Sequence, residues 1–504
     1  MARGETVWRG LEDLETPAGG CRPAPGDPVK GRGRDEFKRG AAEPPVLLQR
    51  RTMLGLVGAS AALAGLSSCR RPVEKIVPLS DAPEDLLPGV PRWYATSMPL
   101  GNTAYGLLAE THEGRPTKIE GNDKHPSSMG GAGSWMQASI LDLYDPDRSP
   151  AVLKTVNGAA VRSSWEEFAD FWRTLAGRME SKDGEGLAVL SGESSSPTWA
   201  AQARALKERF PRARWVVHDP VNDSAVFDGI RLATGTALRP QYHLKTARVV
   251  VALDSDLLLT ETDFLRHAHD FAAGRRLRRP RDPMNRLYAV ESSLSVTGAA
   301  ADERIPLKRC LVPAFLERLA RILVQHGLDL DLPAGGDPAG LSAEARAGLE
   351  RIASDLKAAQ GEALIVAGRF QPAAVHALVL AINEALVGRG KTYTLHDLKD
   401  VSWGHTEDLA GLARDLREGS VTTLVVVDNN PVYASPPDLG LKDLLMAVPH
   451  LIHLGSHRDE TGRLAEWHLP QSHFMESWEM SGQPMAPPAS SSLSSGRSTR
   501  AAAP

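Results

Sequence analysis

Five runs of continuous apolar, mostly β-branched residues punctuate the chain beyond residue 185. They are Leu187-Ala188-Val189-Leu190-Ser191-Gly192, Trp215-Val216-Val217-His218, Val249-Val250-Val251-Ala252-Leu253, Ala363-Leu364-Ile365-Val366-Ala367-Gly368 and Thr423-Leu424-Val425-Val426-Val427-Asp428. A strand with one wet face alternates apolar and polar positions, whereas an unbroken apolar run needs cover on both faces. Helical spacing fills the intervals, over Thr198–Arg209 after the first run and Ala373–Leu386 after the fourth. Strands alternating with helices predict an α/β fold with doubly wound parallel sheets. Before this region the pattern differs. Tyr105–Thr111 and Pro116–Glu120 are short strand-like runs around His112-Glu113-Gly114-Arg115, which predicts a hairpin in a small N-terminal β-rich domain.

Both ends lack such periodicity. Residues 1–49 are Pro/Gly/Arg-rich and read as a disordered, low-complexity leader. Residues 70–100 hold six prolines and few periodic apolar positions, which predicts an extended arm laid over other surfaces. With residues 101–150 this arm forms the first domain region, 70–150, and the α/β domains occupy 151–478. Residues 479–504 collapse into Pro, Ser and Ala. Read one base over with GC-rich codons, residues 478–482 can encode Gly-Asp-Val-Arg, so this tail is expected to be out of frame.

Composition narrows the chemistry. Among 504 residues, 42% are apolar and 24% charged, with net charge −4, so no global electrostatic case exists for nucleic acid. The three cysteines, Cys21, Cys69 and Cys310, lie far apart with no Cys-x-x-Cys pair, so four-thiolate ligation cannot be built from this chain. Strand ends at Ser191-Gly192-Glu193, Asp254-Ser255-Asp256 and Asp428-Asn429-Asn430-Pro431 are candidate ligand edges, but none carries a dinucleotide or phosphate-loop fingerprint.

Arg50-Arg51 precede about fifteen weakly apolar residues that close on Leu66-Ser67-Ser68-Cys69. The run is too short and mild for a bilayer span of roughly 20 apolar residues, so it predicts an export signal over 50–69. The paired arginines resemble a twin-arginine signal, and the Leu-Ser-Ser-Cys end resembles a lipobox with Cys69 as the candidate for lipidation. The periplasmic face of a bacterial inner membrane is the expected location.

Several stretches together resemble the molybdopterin oxidoreductase family. They are Tyr105-Gly106-Leu107-Leu108-Ala109-Glu110, Gly114-Arg115-Pro116-Thr117-Lys118-Ile119-Glu120-Gly121-Asn122, His125-Pro126 and Leu143-Tyr144-Asp145-Pro146-Asp147-Arg148, with Val366–Pro372 and Asn430–Tyr433 further on. The similarity covers roughly 90–478. It implies a cluster-binding N-terminal domain leading into domains that hold a bis-pterin guanine dinucleotide. More narrowly the chain is similar to the molybdopterin-oxidoreductase-like subunit of alternative complex III, through Glu74-Lys75-Ile76-Val77-Pro78, Trp93-Tyr94-Ala95-Thr96, Gln137–Asp142 and Trp467-His468-Leu469-Pro470. That resemblance implies a pterin-type half without molybdenum, and a following half that carries the iron–sulfur clusters. Quinol-oxidising membrane subunits and c-type haem subunits are the implied partners.

In register with cluster-bearing relatives, the cysteine positions fall at Met98, Gly101 and Tyr105, and the fourth falls within Ser127–Gly133. A thioether, a glycine and a phenol cannot replace the anionic sulfur that cluster iron requires. No cofactor is therefore expected in this chain, no catalytic or metal residue is assigned, and the function expected is structural support of electron transfer. The alternative is a molybdenum-bis-pterin oxidoreductase. For that chemistry Asp219, Asp223 and Ser224 could ligate, but all three are common turn residues. His450, His453, His457, His468 and His473 fall close together beside Asp459-Glu460. Gly455-Ser456 would break any helix joining His453 to His457, so structural histidines are the expectation. Glu166-Glu167 read as solvated helix residues.

Overall fold

The computed structural model describes residues 87–280, 282–333, 340–477, 479–483 and 486–491. Arg50, Arg51, Cys69 and the leader lie outside the described residues. In chain order the strands are β1 (Arg92–Leu100), β2 (Thr103–His112), β3 (Arg115–Gly121), β4 (Leu153–Val156), β5 (Ala159–Arg162), β6 (Leu187–Ser191), β7 (Arg214–Val217), β8 (Leu238–Tyr242) and β9 (Val249–Leu253). They continue as β10 (Arg286–Glu291), β11 (Glu303–Pro306), β12 (Ala363–Ala367), β13 (Tyr393–Asp397), β14 (Thr423–Val427), β15 (His450–Gly455), β16 (Trp467–Pro470), β17 (Glu479–Gln483) and β18 (Ala486–Ser491).

All five apolar runs are strands. β9 and β12 are buried at every position, because helices cover both faces of the parallel sheet β11-β10-β9-β12. On one face Leu253, Ile305 and Ile365 pack against the helices Val312–Gln325, Ala343–Ala358 and Ala373–Ala385, and on the other Val250 and Leu364 pack against Ile230 and Phe271. The larger sheet runs β5-β4-β16-β15-β14-β6-β7, with the strands from β16 to β7 parallel and β4 and β5 antiparallel at one edge. Trp467 is completely buried there, edge-on to Phe168 at 5.4 Å and tilted over Phe171 at 5.3 Å. A doubly wound α/β architecture follows directly from these covers.

One expectation needs correction. The arm expected over 70–100 does not extend to residue 100, since Arg92–Leu100 pairs along its whole length with β2 and so forms the edge of a three-stranded antiparallel sheet with β2 and β3. Backbone hydrogen bonding outweighs the weak periodicity that suggested an arm. The low-complexity stretch also contains a paired antiparallel unit, β17 with β18. Ladder bonds join backbone groups, so a composition of small and polar residues neither requires nor forbids them.

Candidate functional site

In parallel sheets the chain leaves a crevice where neighbouring strands send their connections to opposite sides. β6 has β7 on one flank and β14 on the other, so its carboxyl end is such a point. A cavity of about 310 Å³ opens there, lined by Ser191, Gly192, Glu193, Ser196, Trp199, Asp428, Gln471 and His473 among others. β9, flanked by β10 and β12, is the equivalent point of the smaller sheet. Gly368 marks how closely the two loops approach there, because a Cβ on it would lie 1.9 Å from the Asp254 carbonyl oxygen.

Loops from these strand ends, together with the β1–β2 turn, meet in one buried polar network. Asn102 in the turn donates from Nδ2 to Glu193 Oε2 at 2.9 Å and to Asp223 Oδ2 at 3.2 Å. Arg239 of β8 donates to the Asn102 carbonyl oxygen at 2.6 Å and also to its side-chain oxygen. Thr262 donates to Asp223 Oδ2 at 2.6 Å, and Arg369 Nε lies 3.6 Å from Asp223 Oδ1 and 3.1 Å from Glu261 Oε2. Asp219 accepts from the Glu193 backbone N–H at 2.6 Å. The residues read from the sequence as ordinary turn formers, Asp219 and Asp223, therefore sit at the centre of the assembly. Ser224 does not join them, and its hydroxyl donates to Asn222 Oδ1 at 2.6 Å.

The carboxyls divide into two kinds. Burial works against the Asp223 carboxylate, but Arg369, Thr262 and Arg239 outweigh it and hold the group below the ordinary carboxylate range. Glu193 goes the other way. Burial, reinforced by the negative charges of Asp223 and Asp219, pushes it up to about 9, and the Asn102 bond and the charge of Arg239 offset this only in part. Asp219 rises to about 6, first through burial, although the Glu193 N–H bond opposes the rise. Burial likewise raises Asp428. Among the described residues the cavity wall is thus acidic or neutral, with no Lys or Arg lining it.

The positions expected from the resemblance to correspond to cluster cysteines are occupied by packed structure. Met98 pairs directly with Tyr105 across β1 and β2, and Gly101 forms the left-handed corner of the turn with φ +56°. Tyr105 is buried, its ring 5.7 Å from Phe264, and its hydroxyl accepts from the Asp263 N–H at 3.1 Å. On the next residue, a Cβ at Gly106 would meet His125 Cγ at 2.1 Å, so the His125 ring closes over the strand. Ser127 completes this lid: its Oγ accepts from the Gly106 N–H at 3.2 Å and bonds His125 Nδ1 at 2.7 Å.

The five clustered histidines disperse. His453 and His468 are opposite one another on the parallel strands β15 and β16, with their Nδ1 atoms 2.9 Å apart, and His468 Nε2 reaches Ser149 Oγ at 2.6 Å. Burial lowers both imidazoles, His468 to about 3. His450 pairs with Glu466 at 2.8 Å and His457 with Asp145 at 3.2 Å, while His473 stacks on Phe474. Of the three cysteines only Cys310 lies among the described residues, where it is exposed. Glu166 and Glu167 occupy the first turn of the helix Trp165–Glu180, in solvent.

This arrangement of sheets is the molybdopterin oxidoreductase fold. Acetylene hydratase from Pelobacter acetylenicus shares it with a TM-score of 0.62 over 81% of this chain and 67% of that one, at 12% identity. In sequence, the chain is 26% identical over 418 residues to the menaquinone reductase molybdopterin-binding-like subunit of Nitratidesulfovibrio vulgaris, which uses 77% of this chain. The chain spans 59% of the length of that curated relative. No family profile matches the sequence. The resemblance to molybdopterin oxidoreductases thus holds in sequence and in fold.

A pterin guanine dinucleotide carries a pyrophosphate, and phosphate sites use Arg, Lys or converging backbone N–H groups. The crevice offers one serine-rich helix start, Ser196 at the N-cap of Pro197–Arg209, against Glu193 and Asp428, with no Lys or Arg among its described lining residues. These residues do not fit the cofactor.

Proposed function

We propose that the chain is a non-catalytic framework subunit of a membrane respiratory complex that works on quinones, holding neither molybdenum nor an iron–sulfur cluster of its own. The observation that carries this reading is the packing of Met98, Gly101 and Tyr105 into a closed hairpin, where cluster-bearing relatives place thiolates. The crevice, with no Lys or Arg among its described lining residues, supports it from the other side, since burial already works against ionisation of Glu193 and Asp428 and a metal-pterin group would add negative charge beside them. The relative from Nitratidesulfovibrio vulgaris, a molybdopterin-binding-like subunit of a menaquinone reductase, supports the respiratory setting.

Within that setting the narrower reading is the molybdopterin-oxidoreductase-like component of an alternative complex III, docking quinol-oxidising membrane subunits, c-type haem subunits and a cluster-bearing domain. Export by Arg50-Arg51, with Cys69 as a candidate lipid attachment point, would place it on the periplasmic face. No helix among the described residues is long and apolar enough to cross a membrane.

Affinity purification of the full chain from gently solubilised native membranes tests the assignment. Co-purification of multi-span membrane proteins and haem-staining polypeptides in fixed ratio is expected. Recovery of the chain alone, in the aqueous fraction, would remove the basis for a framework role.

A further inference from the structure

The loop after the helix Phe264–Gly274 carries four arginines in five residues, Arg275-Arg276-Leu277-Arg278-Arg279, in a chain whose net charge is −4. It leads into β10, so it stands at the amino end of the smaller sheet and takes no part in the serine-rich crevice. The base of the loop is fixed. The Asn285 N–H donates to the Gly274 carbonyl oxygen at 3.3 Å, and Arg275 Nε donates to Asn285 Oδ1 at 3.0 Å. The same guanidinium pairs with Asp302 and lies 4.5 Å from the centre of the Phe271 ring. Asp282 supplies the one carboxylate between residues 275 and 285, and it folds back on the backbone, accepting from the N–H groups of Arg278 and Arg279 at 2.8 Å each.

The remaining arginines face outward without counter-ions. Arg276, Arg278 and Arg279 are exposed, and among the described residues none of the three has an ion-pair partner. Other arginines at this end of the sheet differ, since Arg248 pairs with Glu362 at 3.6 Å and Arg286 with Asp355 at 2.5 Å. Leu277, between the cations, is 50% exposed, and Met284 further along is 46% exposed. Charges more than about 8–10 Å away are screened at physiological salt, so the acidic balance of the whole chain counts for little at the loop. Unpaired guanidinium groups around an exposed aliphatic side chain match a surface that is anionic outside and apolar beneath. A single-stranded nucleic acid would call for aromatic rings to stack on its bases, and residues 275–285 contain none.

We propose that Arg276, Arg278 and Arg279, with Leu277 among them, form a contact site for an anionic phospholipid surface. The guanidinium groups donate to headgroup phosphates, and Leu277 enters the boundary below them. The contact goes beyond the framework role, because it needs no partner subunit, and either can fail while the other stands.

Sedimentation of the purified full chain with lipid vesicles tests this. Phosphatidylcholine vesicles containing about a third phosphatidylglycerol supply the anionic surface, and pure phosphatidylcholine vesicles are the control. Basic segments elsewhere in the chain are common to all variants, so the readout is the difference between them. Each basic residue held at such a surface contributes about five-fold, so Arg→Gln at 276, 278 and 279 together is expected to weaken partition on the order of 100-fold. Lys at the same three positions should restore most of the loss, because the surface reads charge. Inorganic phosphate should displace the wild type no better than chloride at matched ionic strength. Equal partition of wild type and the Gln variant would overturn the proposal. So would displacement by phosphate beyond that by chloride, or a preference of the wild type for an oligonucleotide over the anionic vesicles.

Discussion

Arg369→Met is expected to destabilise the protein by about 3–5 kcal/mol, the usual cost of removing one partner from a buried ion pair. The guanidinium is the shared counter-ion of Asp223 and Glu261, and it also donates to the Thr260 carbonyl oxygen at 2.9 Å. Met conserves most of the volume, so cavity formation contributes little and the loss reports the stranded carboxylates. Burial already raises Glu261, which would protonate once the cation is gone. Asp223 cannot follow as easily, because Thr262 and Asn102 donate hydrogen bonds to its charged form. Urea unfolding is the direct measurement, and Asp223→Asn in the Arg369→Met background should restore part of the midpoint. A midpoint unchanged by Arg369→Met would mean the network is solvated and carries no stability.

Glu193→Gln should act in the opposite direction and should depend on pH. The folded carboxyl titrates near 9 against 4.5 for the unconstrained side chain. Between those values the folded state holds a proton that the unfolded chain has released, so the contribution of Glu193 is fully present below pH 4.5 and is lost as pH rises towards 9. Gln keeps the neutral shape and still accepts from Asn102 without that penalty. The two proteins should therefore be equally stable near pH 4, and above pH 4.5 the variant should gain roughly 1.4 kcal/mol per pH unit, on the order of 3 kcal/mol at pH 7. Other buried groups titrate in the same range, His267 and His376 near 4 among them, but their effect is common to both proteins and cancels in the difference. Parallel stability curves from pH 4 to 8 would show that Glu193 is ionised in the fold.

The sheets were readable in the sequence because each central strand is an uninterrupted apolar run, and such a run has one stable environment, covered on both faces. Val249–Leu253 and Ala363–Ala367 show this at every position. The expectation of a missing cluster rests on residue identity alone, since Met98, Gly101 and Tyr105 supply no thiolate. The buried network was not readable. Asn102, Glu193, Asp223, Arg239, Thr262 and Arg369 come from six separated segments, and each is of a type that loops use freely. Their convergence is set by strand order and crossover geometry, which leave no spacing signal. The His453–His468 contact was hidden in the same way, since 15 residues separate the pair and only the parallel register of β15 and β16 brings them together.

The proposal that this chain grips no redox metal rests on a hairpin closed with side chains that cannot ligate iron and on a crevice with no Lys or Arg among its described lining residues. Iron and molybdenum analysis of the purified full chain, with an electron paramagnetic resonance spectrum after reduction, measures it directly. A colourless protein with only trace amounts of either metal and no cluster signal is the predicted result. Stoichiometric molybdenum, or stoichiometric iron with a four-iron cluster spectrum, would contradict it.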